Sequence, residues 1–418
     1  MAAKAPTKAR KPADSDGRAK APTHARKPAG LGADGRAKAP THARKPAGLG
    51  ADVGLSDADL LEMYRMMLTT RLLDERMWVL NRAGKVPFVI SGQGHEGAQV
   101  AITRNLRRGH DWFVPYYRSI AAVMTFGMTP REIMLAQFAR AVDPSSGGRQ
   151  MPGHYGAAHH NILSTSSPVG TQILHAVGIA LAAKIRGTDQ VAMTAMGEGA
   201  SNQGDVHEGL NFAAIHKLPV VLMIENNGYA ISVPARLEVS VENVADRAAA
   251  YGIAGVVVDG GDVLACYRAG KEAVERARSG GGPTILEAKV LRLTAHSSDD
   301  QQTKYRAAEE LAEEKARDPV PRFKAQLMHA GVLDDEKDAA FVAEAKKVID
   351  DATDWAEEQP DPDPGKALEG VFATGEPGAG SGGPAAGPGS AEGASHAPGE
   401  AGSEATEKIG AAFDQGRA

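Results

Sequence analysis

The chain contains almost no cysteine. Cys266 is the only thiol among 418 residues, which excludes an internal disulfide framework and with it the small secreted scaffolds that depend on one. Cys266 lies in a helix-like stretch with no adjacent histidine or acid, so we interpret it as a buried structural thiol. A reducing compartment fits this composition, and we expect a cytoplasmic protein.

The sequence also lacks long apolar runs and a strong excess of either charge. No stretch reaches the roughly 18 apolar residues that a transmembrane helix needs, and the N-terminus has no apolar signal-peptide core. The net charge of −5 indicates neither a nucleic-acid nor a membrane partner. Hydrophobic residues make up 42% of the chain, which is enough for one large α/β domain, or two small ones, with tails.

Large apolar residues are scarce at both ends of the chain. The 18-residue segment GRAKAPTHARKPAGLGAD occurs twice in succession over residues 17–52, and residues 1–52 hold twelve Lys/Arg against four Asp/Glu. Such composition cannot form a core, so we predict a disordered basic arm over 1–54 and a flexible Gly/Pro/Ala-rich tail over 361–418. A folded domain is predicted over 55–360. The arm could be a tether, a dock for an acidic partner or an inert extension.

Between these ends, helix-like and strand-like patterns alternate. Ser56 with Asp59 three residues later predicts the N-cap of a helix that Gly84 ends. The strand-like runs are 190–197, 219–225, 254–260 and 283–293, and the helix-like runs between them are 205–217, 241–252 and 262–280. This alternation predicts parallel β-α-β units and therefore an α/β fold of three layers, with a mainly parallel sheet between helices.

Polar residues follow two consecutive predicted strands. Gly197-Glu198-Gly199 ends the first and Asn226-Asn227 ends the second, and one crossover would bring these carboxyl ends together. A carboxylate and an amide oxygen are suitable ligands for magnesium, and the glycines allow the backbone to approach a diphosphate closely. Asn227-Gly228 by itself would equally indicate a turn, and we expect Asn226 to support this loop.

Seven ordered blocks give the sequence a family resemblance. They are ISGQGHEGAQVAI, DWFVPYYRS, GGRQMPGHYG, STSSPVGTQ, GEGASNQGD, ENNGYAIS and AHSSDDQQTKYR. Gly-Glu-Gly followed by Asn-Asn resembles the thiamine diphosphate-binding motif. Over about 55–360 the chain resembles the α subunit of the two-chain 2-oxo acid dehydrogenase E1 component, most of all that of the branched-chain enzymes. Pyruvate and acetoin dehydrogenase α subunits are the alternatives within this class.

The resemblance implies a site for thiamine diphosphate and magnesium. Glu198 and Asn227 would bind the metal by their side chains, and Tyr229 by its backbone carbonyl. The implied cofactor contacts are Tyr117, Arg118, Ser167, Val169, Gly197, Glu198, Gly199, Ala200, Asn227, Tyr229 and His296. Some branched-chain enzymes carry arginine immediately before Asn-Asn, where this chain has Glu225, which puts that phosphate contact in question.

The resemblance also assigns roles to two polar loops. His296 and Ser167 would be catalytic, because the matching histidine reaches the bound intermediate and the matching serine lies at the aminopyrimidine ring. Ser297 matches a serine that a kinase phosphorylates in eukaryotic relatives. Ser166, Pro168, Thr171 and Gln172 align with the ligands of a structural potassium ion, although a loop-to-helix cap explains Ser166, Ser167 and Pro168 equally well.

Two adjacent histidines, His159 and His160, have the appearance of half a zinc site. No cysteine or acid stands at ligand spacing beside them in the sequence. We therefore interpret both as ordinary loop residues.

The implied reaction is the oxidative decarboxylation of a 2-oxo acid, with transfer of the acyl group to a lipoyl group on an E2 acyltransferase. The carboxylate that activates the cofactor should belong to an E1 β subunit, which predicts an α2β2 assembly that is inactive without β. In a eukaryote the location would be the mitochondrial matrix. A phosphate-binding NTPase is disfavoured because Gly-x4-Gly-Lys-Ser/Thr is missing from the sequence, and a non-catalytic scaffold is the remaining alternative of a different class.

Overall fold

A computed structural model describes residues 48–165 and 167–369. Most of the predicted arm and tail, as well as Ser166, lies outside these residues, so the proposed division into arm, domain and tail stays a prediction. No helix in the described part of the chain is long and apolar enough to cross a membrane. The cytoplasmic location likewise stays a prediction.

Eleven α-helices and seven strands make up the described chain. The helices are α1 (Asp57–Arg82), α2 (Glu96–Thr103), α3 (Ile120–Phe126), α4 (Pro130–Gln137), α5 (Gln172–Arg186), α6 (Gly204–Ile215), α7 (Ala248–Tyr251), α8 (Val263–Arg278), α9 (Ala308–Ala316), α10 (Pro319–His329) and α11 (Asp335–Glu357). The strands are β1 (Trp112–Val114), β2 (Ala192–Gly197), β3 (Val220–Asn226), β4 (Tyr229–Ala230), β5 (Val233–Pro234), β6 (Ala254–Asp259) and β7 (Thr284–Lys289). Short 3-10 turns lie at Ala51–Val53, Ala158–His160, Gly199–Asn202, Ala235–Leu237, Val244–Arg247, Gln302–Lys304 and Pro364–Lys366.

The central sheet has five strands in the order β1-β2-β3-β7-β6, and every neighbouring pair is parallel. β4 and β5 form a separate antiparallel pair. The four strands predicted from periodicity are confirmed as β2, β3, β6 and β7. β1 was missed because three residues are too few to show an alternating pattern.

Helices cover both faces of this sheet, so the predicted three-layer α/β fold is confirmed. Val221 and Met223 of β3 join a core that also includes residues of α1, α2, α3 and α8. Leu222 and Ile224 join a second core, on the side of α5 and α6. Burial of both faces explains why β3 is a continuous apolar run rather than an alternating one.

The sequence predicts the start of α1 correctly, but it does not predict the conformation of residues 241–252. Ser56 caps α1, because its Oγ accepts from the Asp59 N–H while the Asp59 carboxylate accepts from the Ser56 N–H. The helix predicted over 241–252 is wrong: a 3-10 turn is followed by only one turn of α-helix in α7. This segment is pressed against β6, where a Cβ on Gly255 would lie 2.4 Å from the Ala245 carbonyl oxygen.

Cys266 occupies the interior, in agreement with the structural role expected of it. Its side chain is fully buried in α8. Burial, with smaller contributions from Asp262 and Asp259, raises the pKa of its thiol well above the usual range. The thiolate is therefore disfavoured, and Cys266 is not a reactive nucleophile.

Gly94 lets the turn before α2 pass against the chain that leaves β7. Its φ is +94°, and a Cβ there would lie 2.2 Å from the Leu291 carbonyl oxygen. Gly84 has φ +72° with nothing within 4 Å, so alanine there adds only left-handed strain of about 1–2 kcal/mol. We expect Gly94→Ala to lower the free energy of unfolding clearly further than Gly84→Ala. Urea unfolding of the two variants measures the difference, and equal losses would contradict the close approach.

Candidate active site

The ends of β2 and β3 meet as the sequence predicts. The two strands are neighbours, with Gly197 opposite Glu225. Immediately beyond them, the Asn227 N–H donates to Glu198 Oε2 at 3.2 Å, across 29 positions of sequence. Glu198 and Asn227 are both buried, so a carboxylate and an amide converge at the carboxyl edge of the sheet.

A cavity of about 320 Å³ opens at this edge. Its lining residues are Tyr116, Tyr117, Arg118, Val169, Gly197, Glu198, Gly199, Ala200, Asn227, Tyr229, Ala230, Ile231, Glu238 and His296. Ten of the eleven sequence-predicted cofactor contacts are in this set. The exception is Ser167, which is exposed and whose Oγ lies 2.7 Å from His154 Nε2. Ligands bind at this edge in open parallel sheets.

Glu198 is a buried carboxylate with one oxygen that the described residues leave unsatisfied. Its side chain is almost fully buried, and within the described residues Oε1 has no hydrogen-bond partner. Burial, together with the nearby Glu238 carboxylate, raises the pKa of Glu198 to about 7. A buried, unpaired carboxylate oxygen is unfavourable, and a cation in the cavity would remove that penalty.

Asn227 is oriented by its own loop. The Tyr229 N–H donates to Asn227 Oδ1 at 3.2 Å, which leaves this oxygen able to accept one further contact. Asn226 faces away and supports the turn, as its Nδ2 donates to Glu287 Oε1 at 2.7 Å while its Oδ1 accepts from the Gly228 N–H at 3.0 Å.

Arg118 places a buried cation at the cavity. Its Nη1 donates to the Ser91 carbonyl oxygen at 2.5 Å, and its guanidinium carbon lies 5.3 Å from the centre of the Tyr117 ring. No carboxylate forms an ion pair with Arg118 in the part of the chain that the structure describes. A buried guanidinium in this state suits a phosphate, whose oxygens match its planar fork.

His296 lies beside Arg118 in a loop that Asp300 orders. Arg118 Nη2 is 3.3 Å from His296 Nδ1, and the His296 N–H donates to Asp300 Oδ2 at 2.7 Å. Burial, and then the charges of Arg118 and Arg292, lower the pKa of His296 to about 4. The imidazole is consequently neutral near pH 7 and can donate or accept one hydrogen bond in the cavity. Ser297 next to it is buried.

Glu225 does not replace the arginine of some branched-chain enzymes, because its side chain points away from the cavity. Its Oε2 accepts from Gln99 Nε2 at 2.7 Å and from the Tyr116 hydroxyl at 2.9 Å, and lies 2.6 Å from His95 Nδ1. His95 Nε2 is in turn 3.5 Å from Asn227 Nδ2. This buried network beneath Asn227 was missed, although an acid that ends an apolar run was a visible signal for it.

The loop before α5 contains the remaining predicted ligands. Thr171 Oγ1 donates to the Pro168 carbonyl oxygen at 3.0 Å, and Gln172 Nε2 donates to the Ala195 carbonyl oxygen at 3.1 Å. Ser166 is outside the described residues. The potassium site stays a prediction.

Four lining residues, Tyr116, Ala230, Ile231 and Glu238, were not among the predicted contacts. Burial raises the pKa of Glu238, and within the described residues its Oε1 has no partner. Nothing local to Glu238 or Ile231 in the sequence marks them. They reach the cavity because the chain folds back after β3.

The fold and the cavity define an α/β protein whose polar ligand site lies at the carboxyl ends of parallel strands. A family model described as dehydrogenase E1 component matches residues 64–365, and the chain belongs to that family. The family implies thiamine diphosphate as cofactor and a β subunit as partner.

Three relatives with similar sequences are each named as the alpha subunit of a 2-oxo acid dehydrogenase. The chain is 52% identical over 321 residues, 77% of this chain and 97% of the relative, to the 2-oxoisovalerate dehydrogenase subunit alpha of Bacillus subtilis. It is 37% identical over 316 residues (76% and 83%) to the 3-methyl-2-oxobutanoate dehydrogenase subunit alpha of Mycobacterium tuberculosis. It is 38% identical over 296 residues (71% and 77%) to a Staphylococcus aureus pyruvate dehydrogenase E1 component subunit alpha.

Proposed function

We propose that this chain is the α subunit of an E1 enzyme that decarboxylates a branched-chain 2-oxo acid and acylates the lipoyl group of an E2 acyltransferase. 2-Oxoisovalerate and 3-methyl-2-oxobutanoate are one compound, and two of the three relatives above are named for it. The observation that carries the proposal is the convergence of Glu198, Asn227, Arg118 and His296 on one cavity in a chain of this family.

Magnesium is the metal that the donors at the strand ends suit. Glu198 and Asn227 supply a carboxylate and an amide oxygen, and the Tyr229 carbonyl is the third proposed ligand. Magnesium prefers such oxygen ligands and takes its remaining ones from phosphate and water. The unpaired Oε1 of Glu198 supports the assignment, and Arg118 would hold the diphosphate from another side. Potassium at Pro168, Thr171 and Gln172 remains open.

Bound thiamine diphosphate would supply the carbon nucleophile and the electron sink of the reaction. The chain's own contribution would be to hold the diphosphate with Tyr117 and Arg118, with Val169 against the aminopyrimidine ring. His296 would place a neutral imidazole next to the reacting acyl group, with burial and then the charge of Arg118 keeping its pKa low. Ser167, which is not among the lining residues, keeps its predicted role at the aminopyrimidine ring.

The raised pKa of Glu198 predicts proton release when the metal binds. Its folded-state pKa of about 7 exceeds the ordinary glutamate value of 4.5, so below about pH 7 the carboxyl binds a proton that the metal must displace. We expect the affinity for magnesium with thiamine diphosphate to rise about tenfold per pH unit up to about pH 7 and then to level off. Titration calorimetry in buffers of different ionisation enthalpy counts the protons.

The raised pKa of Glu198 also determines how the stability of the metal-free chain changes with pH. Between the unfolded and folded pKa values of Glu198 the folded state binds more protons, so the stability of the metal-free chain falls as pH rises through that window.

In the calorimetric titration, we expect metal binding to release about one proton below pH 7 and none well above it. Release that is absent at every pH would contradict an ionised Glu198 ligand.

The test of the proposed function uses the full chain purified with its β subunit. We expect thiamine diphosphate to co-purify, and 2-oxo acid to be decarboxylated with acylation of lipoylated E2 only when both subunits are present. A complex that binds no thiamine diphosphate would instead support the non-catalytic scaffold. A complex that binds it but prefers pyruvate or acetoin would support the alternative that the Staphylococcus aureus relative's name suggests.

A further inference from the structure

A second polar cluster lies where the 3-10 turn Ala158–His160 meets the first turn of α4. Its members are Glu132, His159 and His160, and one ligand atom of each lies within 4.8 Å of those of the other two. None of the three lines the cavity described above. The two histidines were interpreted as loop residues because no acid stands near them in sequence, but the fold brings in Glu132 from 27 positions earlier.

Glu132 is held with one carboxylate oxygen turned toward the histidines. Its Oε2 accepts from the Thr129 N–H at 2.7 Å and from Thr129 Oγ1 at 2.9 Å, in a capping box at the start of α4. Its Oε1 lies 2.7 Å from His159 Nε2 and 3.8 Å from His160 Nε2. The cap therefore preorients the carboxylate without using the oxygen that faces the two rings.

The histidines are held as well. The His160 N–H donates to the Ala157 carbonyl oxygen at 2.9 Å, and its ring packs so closely on Gly127 that a Cβ there would lie 2.8 Å from His160 Nδ1. The ring centres of His159 and His160 are 4.1 Å apart. Both Nε2 atoms therefore face the same carboxylate oxygen.

Hydrogen bonding to Glu132 accounts for the position of His159 but not for that of His160. It accounts for His159 and Glu132 at 2.7 Å, whereas His160 Nε2 at 3.8 Å is too far for one. Burial, the neighbouring His159 and Arg108 lower the pKa of His160 against the pull of Glu132. Burial raises the pKa of Glu132, but hydrogen bonds from Thr129 and His159 and the nearby charge of His160 outweigh it and lower the value.

We propose that Glu132, His159 and His160 form a binding site for a divalent transition metal, with zinc as the ion to test first. Tetrahedral zinc with bonds of about 2.0–2.1 Å to nitrogen and oxygen separates its ligand atoms by about 3.3 Å. The observed separations of 2.7 and 3.8 Å bracket that value. Two imidazoles favour zinc, nickel or copper over magnesium, and the exposed side of His159 leaves the fourth position to water.

A metal bound by Glu132 and the two histidines would fix the position of the chain segment that leads to the loop with Ser167 and Val169. Ile162 follows the cluster and bridges to Phe113 of β1, and the loop with Ser167 and Val169 comes next. Binding to the folded state alone should raise the unfolding temperature as zinc is added. The inference does not depend on the proposed cofactor reaction, because it concerns different residues and a different ion.

The test titrates zinc into the complex of the full chain with its β subunit, saturated beforehand with thiamine diphosphate and magnesium. We expect one zinc per α chain to be lost, or weakened about tenfold or more, in each of His159→Ala, His160→Ala and Glu132→Gln. Glutamine preserves the capping box. His110→Ala is the matched control, since His110 pairs with the single acid Asp189 at 2.6 Å, and it should leave the zinc affinity unchanged.

Cobalt(II) gives a second readout that simple loss of stability would not imitate. In the wild type it should produce the visible absorption of a tetrahedral nitrogen–oxygen site, and the three variants should lose that band while keeping their circular dichroism. Absence of tight zinc from the wild type would overturn the proposal. Equal zinc binding by the wild type and the double variant His159→Ala/His160→Ala would also overturn it, because the metal would then lie elsewhere.

Discussion

Glu198→Ala should abolish magnesium-dependent binding of thiamine diphosphate, with a loss of at least about 100-fold in affinity. The carboxylate is the only charged ligand proposed for the metal, and its buried Oε1 has no other partner in the described chain. Calorimetric titration of the reconstituted α/β protein measures the affinity. Unchanged binding would refute the metal assignment.

Two controls separate this loss from misfolding. Glu198→Asp keeps the carboxylate on a side chain shorter by one methylene, and it should keep affinity within about tenfold of the wild type. Because burial raises the pKa of Glu198, its ionised form is disfavoured in the metal-free protein. Glu198→Ala should therefore leave the metal-free protein no less stable above about pH 7, which thermal unfolding can verify.

His296→Ala should leave cofactor affinity within a few-fold of the wild type but slow acyl transfer to lipoamide by about 100-fold or more. The physical reason is position, since His296 lines the cavity and lies 3.3 Å from Arg118, yet is not one of the proposed metal ligands. Single-turnover transfer measured beside cofactor titration separates the two effects. Its pKa of about 4 also means that the wild-type rate should show no titration of this group near pH 6.5.

A second histidine variant shows whether slower acyl transfer is specific to His296. His329→Ala alters an exposed residue at the end of α10, and it should leave both cofactor binding and transfer unchanged. Wild-type transfer kinetics in His296→Ala would remove the proposed role. Loss of cofactor binding in the same variant would instead make His296 a support for Arg118.

Regular periodicity made the centre of the fold predictable. The strands β2, β3, β6 and β7 each span six or seven residues, long enough for their composition to stand out. Since consecutive parallel strands place their carboxyl ends at one edge, the meeting of Glu198 and Asn227 followed. The segment 241–252 shows the limit, because packing against Gly255 decided its conformation and no pattern within the segment records that contact.

Contacts between distant segments account for the other omissions. Glu132 meets His159 only because α4 packs beside the Ala158–His160 turn, and spacing in the sequence gives no sign of it. Glu225 was judged by its place next to Asn226, whereas the pleat of β3 turns its side chain to the opposite face, toward His95. In both cases, residues distant in the sequence are neighbours in the fold.

The central claim is that this chain, with its β subunit, acts on a branched-chain 2-oxo acid. The most direct measurement is kcat/KM of the thiamine diphosphate- and magnesium-loaded α/β complex for 3-methyl-2-oxobutanoate, pyruvate and acetoin under identical conditions. We expect the branched substrate to be favoured by about tenfold or more, since each additional buried methylene contributes about 1–3 kcal/mol to discrimination. A higher kcat/KM for pyruvate or acetoin would contradict the claim.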